Sequence, residues 1–429
     1  MKKEGIKKTF NRIISKKHIN LIIQNKINKT RTNIKKFGFV KKKLITNFKL
    51  PTLFIFLLFI IIDIYQNNSS SIFNRPKDNN IIEVNYYKKF ENIKQRYIKE
   101  PILKPYLEQI TILKHLYNNN YHNIIKKRGN VHICVSLNNR YVYSILVSIE
   151  SALYNCNKKK TYLTYHILCA SDVSEDTLTI LKSLVYQYPS NLEIIFYNMG
   201  NCFLEAFNER FSHAAYYRII SPIIFDIDRV IYLDGDTFIF KDLNEMYNLN
   251  FNDNYVLGIL DFFSGGVDYL GIKSEKYINA GVIMLNLEKI RNDNKIYNLI
   301  NEIKNKTALR GQDQSLINYV FYPKIGILPY KYVIFNHLDE SDAKFYMNIL
   351  RTQINLTELV NAINDPTIVH TSICWPKVWS KDTRMQSWFS ACKQRNNCSC
   401  EKFHNLWYYY ANKTKYYKEI LKFYGKKNN

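Results

Sequence analysis

Short apolar runs alternate with amphipathic stretches from residue 131 onward, and the two periods can be told apart. Val131-His132-Ile133-Cys134-Val135 reads as a short buried strand, Tyr162 to Leu168 as a second, Leu192 to Tyr197 as a third and Arg229 to Leu233 as a fourth. Between the first two, Val142, Ile145, Leu146, Ile149 and Leu153 recur at helical spacing, which predicts a helix over Tyr141 to Leu153. A second helix is predicted over Asp172 to Tyr186, started by Ser171 or Asp172. Val256 to Leu260 and Thr367-Ile368-Val369 are further strand-like runs. Strands alternating with helices predict an α/β fold with a doubly wound, mostly parallel sheet. Its crevice lies beyond the carboxyl ends of the strands.

The pattern differs upstream. Leu50 to Ile62 is apolar apart from Thr52, and Phe48 to Tyr65 extends it to 18 residues with Lys49 and Asp63 near the ends. As a helix this run spans roughly 27 Å, near the thickness of the endoplasmic-reticulum bilayer. A buried core helix and a cleaved signal are the alternatives. The basic stretch before it is too long for an ordinary signal peptide, so an uncleaved signal anchor is the expectation. Residues 1–49 hold sixteen Lys/Arg against Glu4 alone, which predicts a cytosolic tail and a lumenal remainder. The expected organisation is a basic tail over 1–49, a transmembrane anchor over 50–65, a lumenal stem over 66–129 and a catalytic domain over 130–429. Within the stem, residues 81–127 read as helical. The expected setting is a single-pass type II protein of the Golgi or endoplasmic reticulum. Sequons at Asn67, Asn68, Asn305, Asn355, Asn397 and Asn412 agree with a lumenal address.

Charge and cysteine content change this picture little. The 429 residues carry a net charge of +25, but the tail accounts for +15 of it. Enrichment in Lys, Asn, Ile, Tyr and Phe follows from AT-rich codons, so a nucleic-acid partner is not expected. All eight cysteines lie beyond residue 130, an even number compatible with disulfides. Cys392, Cys398 and Cys400 lack the partner spacing of a zinc site, and a stapled loop is the preferred reading. The aromatic segment Phe403 to Ala411 reads as a closing helix, with an acceptor platform as the alternative.

The candidate chemistry sits at the end of the fourth strand. Val230-Ile231-Tyr232-Leu233 runs into Asp234-Gly235-Asp236. Side chains at i and i+2 of an extended segment share a side, so both carboxylates can converge on one divalent cation. Such an ion suits a phosphorylated substrate. No GxGxxG or GxxxxGK[ST] motif is present.

Five blocks in order resemble glycosyltransferase family 8, the glycogenin-like and bacterial lipopolysaccharide galactosyltransferase-like enzymes. They are Ala215-Tyr216-Tyr217-Arg218 with Asp226–Asp236, the Asp-Gly-Asp itself, Asn279-Ala280-Gly281-Val282, Gly311-Gln312-Asp313-Gln314, and His370 through Trp379. The resemblance covers roughly residues 130–424. It implies a Rossmann-like fold of the GT-A type and transfer with retention from a UDP-sugar donor to a glycan or glycoprotein acceptor. It also implies a Mn²⁺ cofactor, with Mg²⁺ as a substitute.

Residue by residue, the resemblance makes Asp234, Asp236 and His370 the metal ligands. Arg218 would stand near the donor sugar and diphosphate, with a helix-surface arginine as the alternative. Asn279 and Ala280 would line the donor site with Gly235. Asp261 would lie near the donor sugar, Asp313 would grip its hydroxyls, and Gln314 would face the anomeric carbon. Tyr141 would stack on the base, with Asn138 standing where an acid is usual. Lys377 would contact the β-phosphate, although Ile373 replaces the usual glycine and Lys377 falls one position late. The competing functional reading is a lumenal nucleotide-sugar-binding protein of the same fold without turnover.

Overall fold

A computed structural model describes residues 80–117, 129–206, 213–261, 270–305, 312–335, 356–371 and 399–425. All belong to the compact unit Asp78–Asn429. The expected tail, anchor and early stem lie outside the described residues. Among the described residues no helix is long and apolar enough to cross a membrane.

The centre is an eight-stranded sheet in the order β1-β4-β3-β2-β5-β8-β7-β9. Its strands are β1 Thr111–Leu116, β2 Gly129–Leu137, β3 Thr161–Cys169, β4 Leu192–Asn198, β5 Arg229–Leu233, β7 Val256–Leu260, β8 Ile278–Asn286 and β9 Ile325–Ile327. A smaller sheet, β10-β11-β6, joins β6 Thr237–Ile239, β10 Val333–Phe335 and β11 Ile368–His370. The six strand-like runs of the sequence are all present. β5 and β7 have the expected bounds.

Three departures have physical causes. First, the large sheet is mixed. β4, β3, β2 and β5 are parallel, but β8 runs antiparallel to both β5 and β7. The apolar runs of β5 and β8 are buried on both faces, so their composition does not report direction. Second, part of the expected helical stem belongs to the fold. Helix α1 (Asn80–Tyr97) is helical, but β1 pairs antiparallel with β4 as an edge strand, and Phe90, Ile93, Leu103, Tyr106, Leu107 and Ile110 are buried. The charged pattern of β1 is that of a half-solvated edge. Third, the helix expected from Asp172 begins at Glu175. Ser174 caps it by accepting the Thr177 N–H, while the Asp172 carboxylate accepts the Asn139 N–H.

Apolar layers cover both faces of the sheet. Ile231 and Leu233 face one cluster, while Val230 and Tyr232 face the other, the two-residue alternation of a strand. On the first face, α2 (Val142–Asn155) is buried from Val142 to Leu153, including the five residues of its predicted stripe. It packs against α3 (Glu175–Gln187), β6 and α7 (Ser399–Ala411). Trp407, Tyr410 and Ala411 of α7 are buried, so this helix closes the core, with Tyr409 left exposed. On the other face lie α4 (Lys295–Lys304) and α5 (Gln312–Phe321), packed against each other. Helix α6 (Leu356–Asn364) supports β10, and α8 (Tyr417–Gly425) follows α7. Cys134, Cys169 and Cys202 are free and buried, so none of these three is in a disulfide, and Cys156 is buried as well. Cys374, Cys392 and Cys398 lie outside the described residues.

Candidate functional site

The site is assembled by strand register. Leu233 pairs with Val282, and the Asp234 N–H continues that ladder by donating to the Gly281 carbonyl at 2.7 Å. The chain then turns through Gly235 into β6. There Thr237 pairs with His370 of β11, and the Thr371 N–H and hydroxyl both donate to the Asp236 carbonyl, at 3.0 and 2.8 Å. Two independent sheets therefore fix Asp234 and Asp236 beside a histidine far along the chain. The Gly235 turn is braced by α2, where the Ser144 hydroxyl donates to the Gly235 carbonyl at 2.7 Å.

Asp234, Asp236 and His370 each present a ligand atom, and these atoms lie within 4.8 Å of one another. His370 Nε2 stands 3.3 Å from Asp236 Oδ1 and 3.7 Å from Asp234 Oδ2. His370 and Asp236 are buried, and Asp234 is partly open. The other ring nitrogen of His370, Nδ1, is buried and has no hydrogen-bond partner among the described residues, where the ring is oriented by the carboxylates and by packing. The packing includes Gly281. A Cβ on Gly281 would lie 2.0 Å from His370 Cε1 and 2.7 Å from each ring nitrogen. This donor set of two oxygens and one nitrogen, with an open side at Asp234, fits a divalent transition ion such as Mn²⁺.

Arg218 lies in a 3₁₀ helix, His213–Ile220, and is buried rather than on a helix surface. Its guanidinium donates to Asp234 Oδ1 at 3.1 Å and to the Ala280 carbonyl. It pairs with Asp313 Oδ2 at 3.2 Å and lies 3.7 Å from the centroid of the Tyr232 ring. Burial disfavours its charge, but Tyr232, Asp313 and Asp234 outweigh this and raise its pKa. Asp313, in the first turn of α5, has a pKa pushed up to about 6 by burial, against the opposing pull of Arg218. Arg218 thus ties the metal cluster to α5 and β8.

The third part is a set of amides. The Gln314 Nε2 group donates to Asp261 Oδ2 at 2.6 Å, while its Oε1 accepts the Ala280 N–H and the Asn279 Nδ2 group, both at 3.1 Å. Asn279 Oδ1 accepts the Gly281 N–H at 2.9 Å. One turn below Gln314, the fully buried Asn318 clamps α5 to β8. It accepts the Ile278 N–H and donates to the Ile278 and Gln314 carbonyls.

Of the residues expected from the sequence, Asp234, Gly235, Asp236, His370, Arg218, Asn279, Ala280, Asp261, Asp313 and Gln314 come together here. Tyr141 also reaches the site edge. A Cβ on Gly235 would lie 3.1 Å from Ile145 and 3.3 Å from the Tyr141 ring. Asn138 caps the short 3₁₀ turn that carries Tyr141, accepting its N–H at 3.2 Å. Lys377 lies outside the described residues. Sequence reasoning missed Gly281 as the seat of His370, and it missed Ser144 and Asn318 as braces. Asn318 sits four residues after Gln314, one helical turn, which was the available signal.

The family model described as Glycosyl transferase family 8 matches residues 132–360. A lipopolysaccharide 1,2-glucosyltransferase of Escherichia coli is 26% identical over 247 residues, 53% of this chain and 70% of that protein. Glycosyltransferase GlyA of Streptococcus pneumoniae serotype 4 is 22% identical over 281 residues, 65% of this chain and 34% of that protein. Among solved structures, galactosyltransferase LgtC in complex with donor and acceptor sugar analogues superposes with a TM-score of 0.50 at 20% identity, covering 59% of this chain and 90% of that one. The bifunctional glycosyltransferase WbbM, in its apo form, superposes at 0.53 and 20% identity, covering 69% of this chain and 52% of that one. These two likenesses establish the GT-A-like fold, and with the matched family model the chain belongs to glycosyl transferase family 8, a glycosyltransferase.

Proposed function

We propose that this glycosyltransferase moves a hexose or pentose from a UDP-sugar to a glycan or glycoprotein acceptor, with retention of anomeric configuration. The observation that carries this reading is the Asp234–Asp236–His370 cluster, joined through Arg218 to Asp313 and β8. Asp234, Asp236 and His370 would hold Mn²⁺. When bound, the ion supplies Lewis-acid neutralisation of the charge that develops on the departing diphosphate.

The chain's own residues supply the rest. Arg218 adds a fixed positive charge that is always present and rigidly aimed. Asp313 accepts hydrogen bonds from donor hydroxyls. Asn279 and Ala280 line the donor sugar, and Tyr141 stacks on the base with Asn138 fixing its turn. Retention by double displacement needs a carboxylate beneath the anomeric carbon, and Gln314 is an amide. A same-face substitution fits better. The bond from the anomeric carbon to the phosphate oxygen breaks, the acceptor oxygen bonds to the same face, and the acceptor proton passes to the released phosphate. Gln314 then stabilises the positively charged sugar between the two events.

The setting we propose is lumenal, with residues 50–65 as a signal anchor of the Golgi or endoplasmic-reticulum membrane and residues 1–49 in the cytosol. The net charge of the tail and the downstream sequons support it. The test is a panel of UDP-sugars offered to the purified full chain in detergent, with Mn²⁺ and with chelator. Metal-dependent release of UDP from at least one donor, and an α-linked product by NMR from an α-linked donor, are expected. Failure with every donor, or an inverted product, refutes the proposal.

A further inference from the structure

The amides around Gln314 allow one arrangement. A backbone N–H can only donate, so the Ala280 N–H at 3.1 Å requires the Gln314 oxygen to face β8. The Gly281 N–H likewise fixes the Asn279 oxygen, which turns the Asn279 NH₂ toward that same Gln314 oxygen. The Gln314 NH₂ is left facing Asp261. An ionised carboxylate only accepts, and the distance of 2.6 Å is that of a strong, charge-assisted bond. Asp261 is itself held at the end of β7, where its backbone N–H donates to the Tyr277 carbonyl at 3.0 Å.

We propose that Asp261 is a positioning residue that holds the Gln314 amide in the sense needed for transfer, with its carbonyl dipole toward the reacting sugar and its NH₂ turned away, and that Asp261 does not form a bond to the sugar. The proposal rests on the transfer reading above. An amide carbonyl presents partial negative charge to an oxocarbenium-like sugar, whereas the flipped amide presents two N–H groups and opposes it. Ala280 and Asn279 hold the oxygen end, and Asp261 holds the nitrogen end. Among the described residues Asp261 is the charged group that the Gln314 NH₂ reaches, so its loss frees the amide to rotate into the site.

The discriminating comparison is Asp261→Asn against Asp261→Ala in the full chain. Asparagine keeps an acceptor for the Gln314 NH₂ but cannot act as a carboxylate nucleophile. The positioning role predicts that Asp261→Asn retains kcat within about fivefold. Asp261→Ala should lose about 30- to 100-fold in kcat with the donor KM unchanged. The double variant Asp261→Ala/Gln314→Ala should then be no slower than Gln314→Ala alone. Equal loss in both single variants, or a glycosyl adduct on Asp261 by mass spectrometry, overturns the proposal. A second measurement does not depend on turnover. In a thermal-unfolding cycle, the Tm losses of Asp261→Ala and Gln314→Ala should be non-additive, and additive losses overturn the proposal too. A wild-type chain that turns over no UDP-sugar refutes the transfer reading, while the unfolding cycle still decides whether Asp261 and Gln314 are coupled.

Discussion

Gly281→Ala tests how the metal cluster is built. Gly281 does not adopt the left-handed backbone conformation that would require glycine. Its necessity is steric: an added Cβ would lie 2.0 Å from His370 Cε1. Carbon atoms in contact rest at about 3.5–4.0 Å, so the ring must retreat by about 1.5 Å or more. The His370 backbone cannot retreat with it, because β11 is pinned between β10 and β6. The ring therefore rotates, and Nε2 leaves its place 3.3 Å from Asp236 Oδ1. Ligand atoms must approach an ion to about 2.0–2.2 Å, so a shift of this size removes His370 from the coordination sphere. Displacing groups that orient a ligand typically weakens metal binding about 10–100-fold, or about 1.4–2.7 kcal/mol. The assay is Mn²⁺ titration followed by the electron paramagnetic resonance of the free ion, with thermal unfolding as a check on folding. The expected result is weakened Mn²⁺ binding in a folded protein, with Gly281→Ala/His370→Ala no weaker than His370→Ala. Wild-type affinity in Gly281→Ala, or an additional loss in the double variant, refutes the reasoning.

Other outcomes follow from the same structure. Arg218→Lys keeps the charge but loses the planar fork that reaches Asp234, Asp313 and Ala280, so kcat/KM should fall about 100-fold, checked by steady-state kinetics. The buried His166 and the half-buried His132 belong to a hydrogen-bonded chain running Asn130–His132–His166–Tyr197–Tyr86 across the sheet. Burial lowers the His132 pKa to about 4 and holds that of His166 well below its ordinary value. Both are neutral in the folded state and charge more readily when unfolded. Their contribution is complete above the unfolded value of about 6.5 and is lost as pH falls toward 4, by about 1.4 kcal/mol per pH unit for each. Denaturant midpoints at pH 7, 5.5 and 4.5 should show this slope, and it should shrink in His132→Asn. Trp407→Ala empties a fully buried site beneath α7 and should cost about 3–5 kcal/mol by chemical denaturation.

What the sequence made legible depended on locality. β5 and β7 were readable because each is a continuous apolar run ended by an acid, Asp234 or Asp261. The α2 stripe was readable because its spacing is helical. β1 was not, because its solvated side carries Lys114 and its buried side carries His115, paired with Glu193, where an apolar residue would be expected. The direction of β8 was hidden because both of its faces are buried and neither pattern nor length encodes polarity. Asp234 and Asp236 were legible as a pair from their own spacing, and His370 joined them only through family resemblance. Nothing local to Asn279-Ala280-Gly281 says that the glycine makes room for a ring from β11. That constraint exists only once β5, β8, β6 and β11 are aligned. The same holds for Arg218, whose burial depends on partners on three other elements.

The central claim is that Asp234, Asp236 and His370 hold the divalent ion that serves the donor diphosphate. Electron spin-echo envelope modulation of Mn²⁺ bound to the chain with UDP tests it most directly, because a coordinated imidazole modulates the echo at nitrogen frequencies. The account predicts nitrogen modulation in the wild-type protein and its loss in His370→Ala. A wild-type signal without nitrogen modulation, or modulation that persists in His370→Ala, would contradict it.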